Sequence, residues 1–486
     1  MSQIKSGVKL GLAALAVSMG MGASAALGDQ PTTQPVAQED LQSEVQLLKA
    51  QVAELQAKDQ KNDADEALVI KQVLADADAN SDAVTAGYAN RRFFIKSADG
   101  NFLLQPWIHI QLRYSDAIRQ DGKGDFSAQD QQHGFELRRA RFGFDGNLFT
   151  PDLTYFINWA TYRENSNVNV TEDGATVGTA NVPIGGLPVL EEAWGKYNLH
   201  DTPYYIKFGQ MHDPLDHENI IGSKYRDPEA SLQGDIFGNT DTFTQAVTFI
   251  YDPKDSFRFE GGPTDGIRAA NTNFEGYPTT GIDYDGGVAA RAEYKVEGNW
   301  ADYGQLTSLN DQKELLVLGT GADYSYGGNF NTISHTADIQ YANPNGWFGY
   351  VSYFGRYTTH NPGIPSGAPV STSFASSTPQ LHEDTYEPSI MVQGSYLIDN
   401  RFEPYVRYEY MHLAGTAIPS GETSVQNNVS EISAGAHYYF YGHNVKVTAQ
   451  VMYLPTGIPV NDDSSDVLIN NDRGEIIVIT QVQLLI

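Results

Sequence analysis

Cysteine is missing altogether, so this chain builds no disulfide framework and no thiolate metal site. Basic residues are scarce: 31 Lys and Arg stand against 60 Asp and Glu, giving a formal charge of −29. General nucleic-acid binding needs a basic surface, and that class is excluded. No stretch after the first 25 residues reaches the ~18 uninterrupted apolar residues that a spanning helix needs. Mean hydropathy is −0.38, which argues against a bundle of membrane helices. GxSxG, Walker and HExxH patterns are absent, so the usual motif routes to an enzyme close. No cofactor is expected.

What the chain does have is aromatic residues, with 28 Tyr and 22 Phe, and 46 Gly. Tyr favours the boundary between hydrocarbon and water, and Gly suits tightly turned strands. The organising stretch is Phe135–Phe149, FELRRARFGFDGNLF. Ala140, Phe142 and Phe144 point one way; Leu137, Arg139, Arg141 and Gly143 point the other, a period of 2 that marks a two-faced strand. The pattern returns repeatedly, with no amphipathic helices between the strands to cover a sheet. The expectation is that the apolar face meets lipid and the polar face meets water.

Residues 1–25 read as a secretory signal: Lys5 and Lys9, a short apolar core over Leu10–Met21, and Ala23-Ser24-Ala25 for cleavage. A retained anchor is the alternative, but the apolar core is short for spanning. Residues 26–38 are a Pro-, Gln- and Thr-rich linker. Leu41, Val45, Leu48, Val52 and Leu55 then form a heptad seam, and Ala67, Ile70, Leu74 and Ala77 a weaker one. The segment 39–78 is either a marginally helical leader or a short trimeric coiled coil, and 79–92 is a linker.

Sixteen strands are expected over residues 93–486, starting at Phe102, Phe135, Leu153, Leu190, Tyr204, Thr242, Phe257, Gly287, Leu315, Asn331, Trp347, Ser389, Phe402, Ser430, Asn444 and Glu475. Asp99-Gly100 marks a hairpin between Phe93–Lys96 and the first of them. Short turns, such as Phe149–Asp152 and Asp399-Asn400, alternate with long polar segments, such as Glu164–Val189 and Asn361–Pro388. That is the layout of an outer-membrane barrel. The last strand places Ile476, Val478, Val482, Leu484 and Ile486 on one face and suits closure against the first. The fold class is therefore all-β: a 16-stranded antiparallel transmembrane β-barrel with a short N-terminal helical or coiled-coil leader.

Four blocks carry a resemblance to a known family: DGNFLLQPWIHIQLRY (99–114), FELRRARFGFDGNLF, LEEAWGKYNL with YYIKFGQMHDPLDHENI (190–199 and 204–220), and ISAGAHYYFYGHNVKVTAQVMY (432–453). Together they resemble the phosphate-selective porin O and P family. The resemblance implies a trimeric outer-membrane porin that passes small hydrophilic solutes and ions, with phosphate-like anions among them. It also implies a loop folded inward to narrow the pore. The position after FGQ makes residues 210–241 the candidate constriction, with Asp213, Asp216, Glu218, Lys224 and Arg226 as its charged residues.

Strand alternation nominates Arg113, Arg139, Arg141, Lys207, Arg258, Arg291, Lys295 and Arg407 as pore-lining. An anion-selective constriction wants such cations facing the axis. Yet Glu260, Glu293, Asp338 and Glu409 share those faces, and the loop adds Asp213, Asp216, Glu218, Asp227, Glu229, Asp235 and Asp241. A mixed lumen implies a weakly selective or cation-preferring channel. His212, Asp213, Asp216, His217 and Glu218 lack the i, i+4 histidine spacing of a zinc helix, and a polar loop without metal is expected. Arg138 is expected near a rim. Trp107, Trp159, Trp194, Trp300 and Trp347 read as interface anchors or packing, with a sugar-binding aromatic slide as the sharper alternative. Two other functions remain: an envelope tether whose segment 39–78 engages the cell wall, and an outer-membrane hydrolase using a Ser–His pair. The expected partners are thus the lipid bilayer, small solutes, two further copies of the chain and possible cell-wall contact. Sequence places the protein in the outer membrane of a Gram-negative-type bacterium.

Overall fold

A computed structural model describes residues 46–54, 68–69, 71–72, 84–89, 92–121, 124–161, 165–172, 175–183, 188–228, 230–238, 243–267, 284–309, 314–327, 330–360, 384–413, 428–458 and 473–486. They fall into two compact units, Met1–Asn80 and Ser81–Ile486. In the first, residues 46–54 are helical, with Leu48 and Val52 of the heptad seam on that helix and exposed. The signal at 1–25, the linker at 26–38 and the remaining seam residues lie outside the described residues.

The second unit is built of strands. They are β1 (Val84–Ala89), β2 (Arg92–Ser97), β3 (Leu103–Gln120), β4 (Phe126–Asn147), β5 (Leu153–Thr161), β6 (Asn165–Glu172) and β7 (Ala175–Pro183). Next come β8 (Pro188–Asn198), β9 (Tyr204–Met211), β10 (Thr244–Tyr251), β11 (Phe257–Thr264), β12 (Tyr284–Glu297), β13 (Leu315–Gly327) and β14 (Phe330–Ala342). The chain ends through β15 (Trp347–His360), β16 (Thr385–Tyr396), β17 (Phe402–His412), β18 (Asn428–Tyr439), β19 (Val445–Leu454) and β20 (Glu475–Leu485).

All but β6 and β7 belong to one 18-stranded antiparallel sheet. Two of its strands, β1 and β2, form a hairpin attached to the start of β3 through Ile95↔Leu104 and Lys96↔Leu103. The other sixteen close into a ring, because β20 pairs with β3 from Glu475↔Arg119 to Leu485↔His109. These are the sixteen strands expected from alternation. Closure leaves no unpaired edge, and in hydrocarbon every unpaired backbone group would cost several kcal/mol. β6 and β7 pair only with each other, within the long β5–β8 connection.

The wall is inverted relative to a soluble protein. On β3, Ile108, Ile110 and Leu112 are exposed while His109, Gln111 and Arg113 are buried. On β12, Val288, Tyr294 and Val296 face out and Ala289, Arg291 and Glu293 face in. On β20, Val478, Val482 and Leu484 face out and Gln481 and Gln483 face in. Such a surface is stable only against lipid, since exposed apolar area in water costs about 25 cal/mol per Å2.

Two expectations need correction. Leu137 does not share a face with Arg139. The register jumps from Gln111↔Arg139 to Leu112↔Leu137, so Arg138 is the extra residue of a β-bulge. Leu137 therefore turns to the lipid side, 48% exposed, while Arg138 is 5% exposed and enters the barrel wall rather than sitting at a rim. Likewise β4 begins at Phe126, nine residues before Phe135, and remains paired to β3. Its added segment, FSAQDQQHG, carries no apolar alternation in sequence.

Turn chemistry fits the short-loop end. Asp399 and Asn400 both hold positive φ (51° and 55°), the backbone of a two-residue hairpin turn. An exception at this end is the β12–β13 connection, whose residues 299–309 fold inward. A short helix, Trp300–Tyr303, is followed by Leu306, Thr307, Ser308 and Leu309, all buried. Trp300 Nε1 donates to Asp255 O at 2.6 Å, Ser308 Oγ donates to Gly346 O at 2.8 Å, and Ser308 N donates to Glu403 Oε1 at 3.1 Å. This insert partly fills the barrel mouth beneath β13–β19.

Val406 lies midway along β17 and is 61% exposed. Val406→Arg is expected to destabilise the folded protein by about 2–4 kcal/mol, the cost of a cation at the bilayer midplane. Urea unfolding in lipid vesicles measures it. The same change at exposed Trp347, at the strand end, should cost no more than ~1 kcal/mol.

Candidate functional site: the inward loop and its wall

Between β9 and β10 the chain leaves the wall and crosses the barrel interior. Met211, Asp213, Leu215, Asp216, His217, Glu218 and Asn219 are all buried on the descending limb. Thr336 Oγ1 donates to Leu215 O at 2.7 Å, and Arg291 Nη1 reaches the same oxygen at 3.3 Å. The strand β13 makes room for this approach: a Cβ on Gly321 would overlap Leu215 O. A four-residue helix, His217–Ile220, starts from Asp216, whose carboxylate accepts from Asn219 N at 3.2 Å. His217 stacks on Tyr303 of the inward turn with centroids 3.8 Å apart, and its Nε2 lies 3.0 Å from Gln340 Oε1.

The lowest part of the loop is Ser223–Tyr225, a 3-10 turn. Arg141 Nη1 donates to Ser223 Oγ at 2.7 Å, Gln483 Nε2 donates to Lys224 O at 3.1 Å, and Leu306 N donates to Tyr225 O at 2.9 Å. The loop then climbs along the opposite wall. Lys446 Nζ donates to Arg226 O at 2.8 Å, Arg113 Nη2 to Pro228 O at 2.9 Å, and Gln233 Nε2 to Ser352 Oγ at 2.7 Å. Leu232, Ile236 and Phe237 pack on Phe354, Met411, Met452, Ile477 and Ile479, an apolar patch on the inner wall. Glu218 joins the limbs: its carboxylate accepts from Ser231 N at 2.8 Å and lies 3.7 Å from Arg226.

The eight nominated wall cations all lie in the barrel, in different settings. Arg113, Arg291 and Arg407 are buried beneath or against the loop and do not face open water. Arg291 joins Asp338 (2.8 Å), Glu293 (2.7 Å) and Tyr303 Oη (2.9 Å). Arg407 lies 2.9 Å from Glu409, 3.2 Å from Glu431 and 3.6 Å from Asp227. Arg139 donates to Gln111 Oε1 at 3.0 Å, and Arg141 pairs with Glu191 at 2.6 Å. Lys207 lies 3.5 Å from Glu260, while Arg258 pairs with Glu293 and covers Trp300. Lys295 sits over Trp300 at 5.2 Å. Isolated buried cations would be prohibitively costly, and the carboxylates sharing these faces offset that cost. Among the described residues, Arg113, Arg141, Lys207, Arg258, Arg291 and Arg407 are thus mated with acids rather than set in a ladder of one sign.

Of the loop residues, Glu218 and Arg226 hold the loop together, whereas Asp213 and Asp216 line its descending limb. Burial, then the carboxylates of Glu218 and Asp338, push Asp216 up to about 7. Burial and then Arg291 pull His217 down to about 4, so it is a neutral stacking ring at physiological pH. Lys224 falls to about 8 through burial and the nearby Arg92. Glu229 and Asp241 lie outside the described residues. Among the described residues no cluster of three or more His, Asp or Glu is arranged to hold a metal ion.

Sequence reasoning missed the inward turn at 299–309 and a cavity of about 560 Å3 at the short-turn end. Trp107, Phe156, Trp194, Lys196, Lys224 and Arg92 are among its lining residues. The one sequence signal was the inward pair Gly319 and Gly321: Gly321 admits the loop at Leu215, and Gly319 leaves room for Arg291 and Asp338.

Comparison with known proteins follows this geometry. The model of the phosphate-selective porin O and P family matches residues 114–278, bearing out the resemblance read from the sequence. That stretch holds β4, the FGQ strand exit and the inward loop. An anion-selective porin from Comamonas acidovorans is similar at 10% identity, covering 79% of this chain and 99% of its own, with a TM-score of 0.49. The outer membrane channel DcaP of Acinetobacter baumannii is similar at 12% identity over 80% and 99% of the two chains, TM-score 0.46. Salmonella typhi OmpF, solved in complex with daunomycin, is similar at 15% identity over 78% and 98%, TM-score 0.46. No curated protein matches.

Two outcomes follow from this site. Arg407→Met leaves Asp227, Glu409 and Glu431 without their buried cation, and is expected to cost about 3–5 kcal/mol; urea unfolding in vesicles measures it. The raised Asp216 carboxyl contributes a cost when ionised. That cost is absent below the unfolded value near 3.8, grows as pH rises and is complete above about 7. Stability should thus fall between pH 4 and 7 in an Asp216-dependent manner, and Asp216→Asn should flatten that part of the profile.

Proposed function

We propose that this chain, whose residues 114–278 match the phosphate-selective porin O and P family, is an outer-membrane porin: a water-filled channel for passive diffusion of small hydrophilic solutes and ions. The observation that carries the reading is the inverted wall, a closed sheet with apolar side chains outward and ionised ones inward. Neither a soluble binding protein nor a structural anchor needs a closed wall with a charged interior. The inward loop narrows the passage, as a constriction does.

Selectivity follows from how charges are mated. Arg141, Lys207, Arg258, Arg291 and Arg407 each have a carboxylate partner, so the wall presents opposed charges across the path rather than a single sign. The reading is a weakly selective channel that admits anions, phosphate among them, without a dedicated phosphate ladder. Export through the signal at 1–25 and assembly as a trimer, with 39–78 as a three-helix coiled coil, belong to this proposal. The exposed Leu48 and Val52 on the helical residues 46–54 support the last part, since such a stripe needs partners.

Purified protein in planar bilayers should give discrete conductance steps. Reversal potentials in a tenfold KCl gradient should stay well below the Nernst limit of either sign. Strong anion preference, or absence of conductance, would overturn the respective parts. Cation preference should rise as pH passes about 7 and Asp216 ionises. Deletion of 39–78 should abolish trimer cross-linking and leave single-barrel conductance. A cell-wall tether would instead show as envelope detachment on that deletion.

A further inference from the structure

The cavity at the short-turn end has a built interior. Trp107 on β3, Phe156 on β5 and Trp194 on β8 stand in a row on the inner wall. Ring centroids are 5.8 Å apart between Trp107 and Phe156, and 5.5 Å between Phe156 and Trp194, with planes within 20°. Gly143 on the intervening strand makes the row continuous, because a Cβ there would collide with the Trp107 ring. Lys224 lies 5.1 Å from the Trp107 ring, and Lys207 5.0 Å from that of Trp194. Among the described residues, no carboxylate comes within ion-pair distance of Lys196 or Lys224, whereas Arg92 on the same cavity is mated with Asp145, and Arg141 and Lys207 with Glu191 and Glu260. Gln105, Asn147, Thr154, Tyr155 and Asn444 also line it, together with Arg92 and Asp145, which are paired with each other.

We infer that this cavity is a binding site for a monosaccharide bearing an anionic group, such as a sugar phosphate or sugar acid. The stacked rings give the cavity an apolar side that suits the C–H groups of a pyranose. The Gln105 amide and the acceptor oxygens of the Asn147 and Asn444 amides and the Thr154 hydroxyl, whose protons go to Gly100 O, Leu485 O and Lys196 O, suit a ligand with many hydroxyls, and the two lysines without a carboxylate suit its anion. A simple flat aromatic acid would leave those amides and the hydroxyl unused, and inorganic phosphate would leave the rings unused. The inference rests on the channel reading only for how the ligand arrives, since binding is measurable without transport.

The test uses the full chain in detergent micelles, with intrinsic tryptophan fluorescence as readout, and in planar bilayers, with current blockade as the second. The probes are glucose 6-phosphate, glucose, inorganic phosphate and benzoate. Glucose 6-phosphate should bind at least tenfold more tightly than each of the others. Trp194→Ala and Lys224→Gln should each weaken it at least fivefold. Equal binding by benzoate or phosphate overturns the sugar assignment, and unchanged affinity in both variants overturns the site. Should a variant fail to fold, seen as loss of heat-modifiable migration, Lys196→Gln takes its place. Loss of KCl conductance in the parent protein would sink the channel reading and leave the binding measurement interpretable.

Discussion

Everything in the structure depends on the backbone ring having no end. Hydrocarbon offers nothing to an unpaired amide, so the wall must pair each strand with two neighbours, and β20 must find β3. Once the ring is closed, the two faces of every strand are assigned by the pleat alone, one to lipid and one to the inside. The charged residues inside are then confined. They cannot reach bulk water freely, so they settle into arginine–carboxylate groups such as Arg291 with Glu293 and Asp338, and Arg407 with Glu409 and Glu431.

That confinement explains why the loop is held rather than free. Its backbone carbonyls serve as acceptors for wall cations: Leu215 for Arg291, Pro228 for Arg113, Arg226 for Lys446. Between these anchors, Leu232, Ile236 and Phe237 bury apolar area on a patch that would otherwise face water. The interior thus packs an apolar core along β13–β20 and leaves a cavity along β3–β8.

Much of this was legible in the sequence, because a period of 2 reports which face a residue takes whenever those faces meet different solvents. The strand set was readable for that reason, from Ile108 and His109 on the first strand to Val482 and Gln483 on the last. The bulge at Arg138 was not, since adding one residue breaks the period without changing composition. Nor was the first part of β4, FSAQDQQHG, which carries no apolar alternation. The short-turn insert at 299–309 lies between two clear strands and carries no periodic signal; only tertiary partners such as Gly346 O and Glu403 define it. Alternation identified which arginines point inward, yet it could not reveal that the loop covers Arg113, Arg291 and Arg407. Coverage is a property of two segments far apart in the chain.

The seam where β20 meets β3 ties two parts of the molecule together. Arg113 on one side of it and Gln483 on the other both grip the inward loop, at Pro228 O and Lys224 O, while Arg113 also bonds Gln481 across the seam. The contacts that join the last strand to the first thus also hold the loop: a cylinder whose seam loosened would let go of two of the loop's fastenings at once, so the integrity of the closure and the width of the bore are one mechanical problem.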